Sequence, residues 1–181
     1  MYEGFWEKGK AHGEGMYVKA NGVKHYGIWI NDRQCGYGRE KWADGTKFQG
    51  IYVNGKKEGQ GKLEWTDGTI YEGDFKINNM EGFGKMKLPN NSIYKGDWKD
   101  NKKDGKGHFV WEDGREFKGK YKYDKKNGFG VLSYPNGDRY EGEWVNNKRN
   151  GKIKFINNDG TSREERWNMG KLEHELEYNM G

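Results

Sequence analysis

The chain has 181 residues and a net charge of +5, enough length for one domain or a small pair. Hydrophobic residues make up only 31% and charged residues 34%, yet there are 8 Trp, 12 Tyr, 8 Phe and 30 Gly. This composition excludes a helical globule, because each glycine inside a helix costs about 1 kcal/mol relative to alanine. Nor does any run approach the roughly 18 apolar residues of a membrane-spanning helix.

The first element opens with Tyr2-x-Gly4-x-Trp6, and such alternation reads as a strand whose two faces differ. After a polar tip, Gly13-x-Gly15 begins a second strand, and Asn21-Gly22 closes the unit. The second unit repeats the frame with His25, Gly27 and Trp29, then Gly36-x-Gly38 and Asp44-Gly45. The third has Phe48, Gly50 and Tyr52, Gly59-x-Gly61 and Asp67-Gly68; the fourth has Tyr71, Gly73 and Phe75, Gly82-x-Gly84 and Asn90-Asn91. Tyr94, Gly96 and Trp98 open the fifth, Phe117, Gly119 and Tyr121 the sixth, and Tyr140, Gly142 and Trp144 the seventh. The seventh keeps Gly151 but has Ile153 where its second glycine belongs, and Trp167 carries the aromatic series once more.

The period is 23 residues throughout, without insertion. The sequence therefore predicts an all-β, elongated, single-layer antiparallel array of β-hairpins. Residues 1–162 supply seven repeats, and residues 163–181 a degenerate eighth that caps the array. Polar tips such as Asn54-Gly55-Lys56 join the two strands of a unit. The Asn-Gly and Asp-Gly pairs between units read as tight hairpin turns, since both tolerate positive φ. The glycines read as structural: with no side chain, they let a neighbouring ring lie over bare backbone. Each ring contributes about 1.5 to 3 kcal/mol when fully buried, and less if one side stays wet, as expected in a single layer.

Tyr-x-Gly-x-Trp, Gly-x-Gly and Asp-Gly at this spacing resemble the membrane occupation and recognition nexus (MORN) repeat, over about residues 2 to 160. His25, Glu40, Arg163 and Glu165 depart from its pattern. The resemblance implies a ribbon of hairpins, about 65 to 70 Å long at ~4.8 Å per strand. It also implies a scaffold without catalytic activity, in a cytoskeletal or ciliary setting.

No chemistry-bearing motif competes with that reading. Each Gly-x-Gly lacks the third glycine of a nucleotide loop and opens a strand rather than a helix. Cys35 is read as a free surface thiol at a hairpin tip, and His12, His25, His108 and His174 lack metal-ligand spacing. Carboxylates are dispersed, so no acid–base pair is proposed. Neither catalytic residues, metal nor cofactor is expected. No signal-peptide pattern opens the sequence; a cytoplasmic chain is expected, and the sequon at Asn90-Asn91-Ser92 is taken as chance.

Three surfaces are candidates for binding. A partner groove is expected along the aromatic rows, lined by Tyr2, Trp6, Trp29, Trp42, Tyr52, Trp65, Phe75, Trp98, Trp111 and Tyr121. The inner tips carry an excess of Lys and Arg, which predicts a basic edge at Lys102, Lys103, Lys125, Lys126, Lys148 and Arg149. Solubility explains such charge equally well. The face opposite the rings is apolar in the first three units, with Phe5, Met16, Val18, Tyr26, Ile28, Tyr37 and Ile51. Protein partners in a multi-subunit assembly are the leading expectation, and an anionic phospholipid surface at the basic edge is the alternative. Aromatics committed to the repeat frame argue against nucleic acid; end-to-end self-association stays open. The chain begins inside a repeat, which suits a fragment of a larger protein.

Overall fold

The computed structural model describes residues 1–179, with side chains through Glu175. The described chain is all-β with no helix: sixteen strands, each antiparallel to its sequence neighbour within two units. The N-terminal unit, Met1–Pro89, holds β1 (Tyr2–Glu7), β2 (Lys10–Val18), β3 (Lys24–Ile30), β4 (Arg33–Lys41), β5 (Lys47–Val53), β6 (Lys56–Glu64), β7 (Ile70–Lys76) and β8 (Asn79–Lys87). The unit from Asn90 onward holds β9 (Ile93–Lys99), β10 (Lys102–Val110), β11 (Glu116–Lys122), β12 (Lys125–Ser133), β13 (Arg139–Val145), β14 (Lys148–Ile156), β15 (Ser162–Asn168) and β16 (Lys171–Asn179). The expected cap thus contains an eighth hairpin, β15–β16, while residues 180 and 181 lie outside the described residues.

Register brings the paired glycines together. Gly4 lies opposite Gly15, Gly50 opposite Gly61, Gly73 opposite Gly84 and Gly119 opposite Gly130. The first aromatic of these hairpins lies across that pair: a Cβ added at Gly61 would stand 2.7 Å from the Phe48 ring, and one at Gly84 would overlap Tyr71. The bare backbone is a ring seat, as the sequence implies. Tyr71 and Tyr94 reach past it and donate their hydroxyls to the carbonyls of Asp74 and Asp97, each at 3.0 Å.

The rings interlock edge to face. Within the N-terminal unit the run passes from Tyr2 to Trp29 (5.5 Å), His25 (5.4 Å), Tyr52 (4.7 Å), Phe48 (5.5 Å), Phe75 (5.1 Å) and Tyr71 (5.3 Å). In the C-terminal unit it runs from Trp98 through Tyr94, Tyr121 and Phe117 to Trp144. Such contacts add about 0.5 to 1.5 kcal/mol each beyond area burial. The run ends where the glycine pair ends. Ile153, itself buried, faces Gly142 and fills the seat, so Tyr140 packs instead on Phe155 at 4.6 Å. In β15 the ring and first glycine become Arg163 and Glu165; they form an ion pair of 2.7 Å, and the Trp167 indole donates to Glu165 at 2.7 Å.

The turns exchange the roles expected of them. Positive φ at both central residues, the mark of a type I′ hairpin turn, occurs at the inner tips: Asn54-Gly55 (50°, 80°), Ile77-Asn78 (49°, 70°) and Asn146-Asn147 (49°, 70°). The Asp-Gly links are longer. At residues 42–46, Gly45 donates to the Trp42 carbonyl, Trp42 donates to that of Thr46, and Asp44 accepts from the Thr46 amide. Only Gly45 has positive φ there, which is a type I turn closed by a left-handed glycine.

Inner tips within a unit also grip the hairpin before them. Asn78, Asp124 and Asn147 donate their amides to the carbonyls of Lys57, Lys103 and Lys126, and their side chains accept from those residues' amides at 2.8 to 2.9 Å. These clamps secure tips where a bulky residue such as Ile77 or Tyr123 takes positive φ.

Candidate functional site

The face carrying rings and paired glycines, the front, is closed. Trp29, Tyr52, Phe75, Trp98 and Tyr121, expected to line an open groove, are at most 6% exposed. The second aromatic of a hairpin faces a residue that recurs every 23 positions: Lys57 opposite Tyr52, Met80 opposite Phe75, Lys103 opposite Trp98 and Lys126 opposite Tyr121. These side chains fold over the rings as lids. The Lys57 Nζ stands 4.8 Å from the Trp42 ring and 4.9 Å from Phe48. Lys126 Nζ lies 4.6, 4.9 and 5.0 Å from Trp111, Phe117 and Trp144. Arg149 stacks on Trp167 at 3.6 Å and Tyr140 at 4.0 Å.

Trp42, Trp65 and Trp111 stand half-buried at the ends of the linking loops, Tyr2 is half-buried, and Trp6 is exposed. The groove of wet rings is therefore a covered core. Desolvation marks that cover. Burial lowers the Lys126 ammonium to about 8, with Arg115 and Arg149 adding, and burial lowers Lys103 as well.

The same geometry corrects the basic edge. Lys102, Lys125 and Lys148 are exposed, whereas Lys103, Lys126 and Arg149 are half-buried lids on the front. Register is the reason: Lys103 and Lys126 lie directly opposite Trp98 and Tyr121 and so share their face. The edge presents half the cations expected of it, one from each pair.

One buried polar cluster interrupts the front. His25 lies opposite Glu40 and is 1% exposed, and neither ring nitrogen has a hydrogen-bond partner among the described residues. Burial lowers its pKa to about 4, against the pull of Glu40 and with Lys19 and Lys57 adding. Glu40 accepts from Tyr52 Oη at 3.1 Å and pairs with Lys57 at 2.9 Å. The two departures from the repeat pattern thus meet, and Lys57 supplies the counter-charge.

The back face of the N-terminal unit is open. Phe5 is 70% exposed, Tyr26 62%, Tyr37 49%, Ile28 41% and Ile51 38%, while Met16 and Val18 are half-buried. A concavity of about 440 Å³ there is lined by Met16, Tyr26, Arg39, Lys24, Lys41 and Lys47, among others. A second, of about 290 Å³, shares Tyr26 and Arg39 and adds Ile28 and Tyr37. Sequence reasoning found the apolar half of this surface and missed its cations. Those were visible as Lys and Arg at alternate positions of β3, β4 and β5. Cys35 lies half-buried within β4 opposite Ile28, not at a tip. No group of three or more His, Cys, Asp or Glu side chains suited to a metal ion occurs among the described residues.

The fold resembles the TCP domain of Drosophila melanogaster SAS-4 (dCPAP), solved in complex with a proline-rich motif of Ana2 (dSTIL). That match has a TM-score of 0.55 and 13% identity over 86% of this chain and 84% of that one. At this identity the likeness is one of fold. The TCP10 domain of Danio rerio CPAP aligns over 93% of this chain and 89% of its own at 14% identity, but with a TM-score of 0.39, too low to support an argument. A search of curated protein sequences found no match. Seven stretches match the MORN repeat: residues 2–24, 25–47, 48–70, 71–93, 94–114, 117–139 and 140–162. The chain belongs to the MORN repeat family.

Proposed function

We propose that this chain is a non-catalytic scaffold that binds and spaces protein partners in a larger cytoplasmic assembly, cytoskeletal or ciliary in kind. The observation that carries the reading is the apolar back face of the N-terminal unit, where Tyr26, Tyr37, Ile28 and Ile51 stand exposed on neighbouring strands. Contiguous exposed apolar surface in a folded chain marks a contact site. The SAS-4 TCP domain, a solved fold neighbour bound to a partner's proline-rich motif, lends support to protein binding on such a fold. The membrane alternative is weaker, because three of its six edge cations, Lys103, Lys126 and Arg149, are half-buried lids on the front.

Affinity capture with the full chain tests this, run beside co-sedimentation with phosphatidylserine vesicles. The scaffold expects protein partners that are lost on Tyr26→Ser/Tyr37→Ser, with little vesicle binding. The opposite pattern would overturn it: salt-sensitive vesicle binding abolished by Lys102→Glu/Lys125→Glu/Lys148→Glu, with no partner dependent on the tyrosines.

A further inference from the structure

Two rows of side chains cross the back of the N-terminal unit side by side. One runs Met16, Tyr26, Arg39, Gln49, Lys62; the other runs Val18, Lys24, Lys41, Lys47, Glu64, each residue directly opposite the next. Lys24, Lys41 and Lys47 are thus consecutive cross-strand neighbours, all exposed. Like charges placed directly opposite weaken a sheet. None of Lys24, Arg39, Lys41 and Lys47 has an ion-pair partner among the described residues, whereas Lys62 is tied to Glu64 at 2.6 Å and Glu72 at 3.7 Å. Glu40, the other carboxylate of the concavity, is paired with Lys57.

The rest of the molecule offers weaker candidates. Lys106 faces Lys120 on the C-terminal unit, but their concavity also contains Asp97 and Asp104. Lys126 is caged by three rings, a place its structural role as a lid accounts for.

We infer that the Lys24–Lys41–Lys47 row and the adjoining Tyr26–Ile28–Tyr37 surface form a docking site for an acidic amphipathic helix of a partner protein. The inference rests on the scaffold reading and names the partner's chemistry. Neighbouring lysines are one strand spacing apart, about 4.8 Å. Carboxylates at i, i+3 and i+7 of a helix laid across the strands advance about 4.5 and 10.5 Å along its axis, which matches the row. Apolar side chains on the adjacent stripe of that helix would then meet Tyr26 and the second concavity. A free phosphate would leave the apolar half unused, and a flat bilayer would touch only the rim of the concavity. Charge complementarity sets the encounter, and the rings set the register.

The test uses the full chain and a fluorescein-labelled helical peptide of about 16 residues, with Glu at i, i+3 and i+7 and Leu on the adjacent stripe. Anisotropy is expected to show binding that weakens as salt rises. Lys24→Glu, Lys41→Glu and Lys47→Glu should each weaken it about tenfold, Lys41→Arg should preserve it, and Lys120→Glu on the other unit should leave it unchanged. Thermal melts confirm that each variant is folded. Absence of peptide binding, equal loss with Lys120→Glu, or response to phosphatidylserine vesicles alone would overturn the inference. If captured partners survive Lys41→Glu while the peptide does not bind, this inference falls and the scaffold stands; if peptide binds but no tyrosine-dependent partner is captured, the scaffold reading is the one that fails.

Discussion

On the back of the N-terminal unit, Lys24, Lys41 and Lys47 stand in line without acidic neighbours until Glu64. The corresponding row of the C-terminal unit runs Ile93, Val110, Glu116, Ser133, Arg139, Ile156. Its charges are paired, with His108 and Lys118 on Glu116 at 2.8 and 3.1 Å and Arg139 on Glu141 at 2.8 Å. The fronts of both units, by contrast, share one rule of ring, glycine pair and lid, until Ile153 fills the seat in β14. The difference teaches that the repeat frame governs the front and leaves the back free to diverge, so binding specificity is sought at the back.

The shared front can be broken most severely at its glycines. Gly61→Ala and Gly107→Ala each drive a Cβ into a seated ring and should cost about 3 kcal/mol in urea unfolding. Gly59→Ala, with nothing within 4 Å but a φ of +66°, should cost only about 1 kcal/mol. Tolerance of the first change in one unit alone would show that the fronts are not equivalent.

His25 sharpens the comparison through pH, since the C-terminal unit has Tyr94 and Phe117 in its place. Its folded pKa of about 4 lies below the ordinary 6.5, so the unfolded chain takes up the proton first. Stability is full above pH 6.5 and falls by up to about 3 kcal/mol as pH drops to 4. Melts of His25→Phe across that window should lose this dependence.

At the Lys126 lid the sign is the same, but the window lies at the alkaline end of the pH scale. Between pH 8 and 10.5 the unfolded chain keeps a proton that the folded lysine has shed, so stability rises with pH. Allowing for its partial exposure, the gain is roughly 1 kcal/mol. Lys126→Met, which copies the Met80 lid at the same repeat position, should flatten the profile. The smallest effect on the front belongs to the tip clamps: Asn147→Ala removes one side-chain acceptor from the Lys126 amide and should cost about 1 kcal/mol in urea.

Much of this was legible in the residues. Fixed spacing locates the hairpins, and alternation puts Tyr71, Gly73 and Phe75 on one face, because a strand has only two faces. What escaped lies in side-chain conformation. Charge alone groups Lys103 and Lys126 with their exposed neighbours, whereas pairing opposite Trp98 and Tyr121 puts them on the front; their long apolar stems then cover rings that would otherwise be wet. The clamps from Asn78 and Asn147 depend on how one hairpin tip stacks on the preceding one, which propensity does not encode. The type I′ turns went to the tips because φ there is imposed by a two-residue connection, even on Ile77.

The claim that back-face charge serves binding at a small expense in stability is tested most directly by measuring urea midpoint and acidic-peptide affinity together in the Lys41→Glu chain. Placing a carboxylate between Lys24 and Lys47 should raise the midpoint, by about 0.5 kcal/mol in stability, while weakening the peptide about tenfold. An unchanged affinity, or a midpoint that falls, would contradict the account.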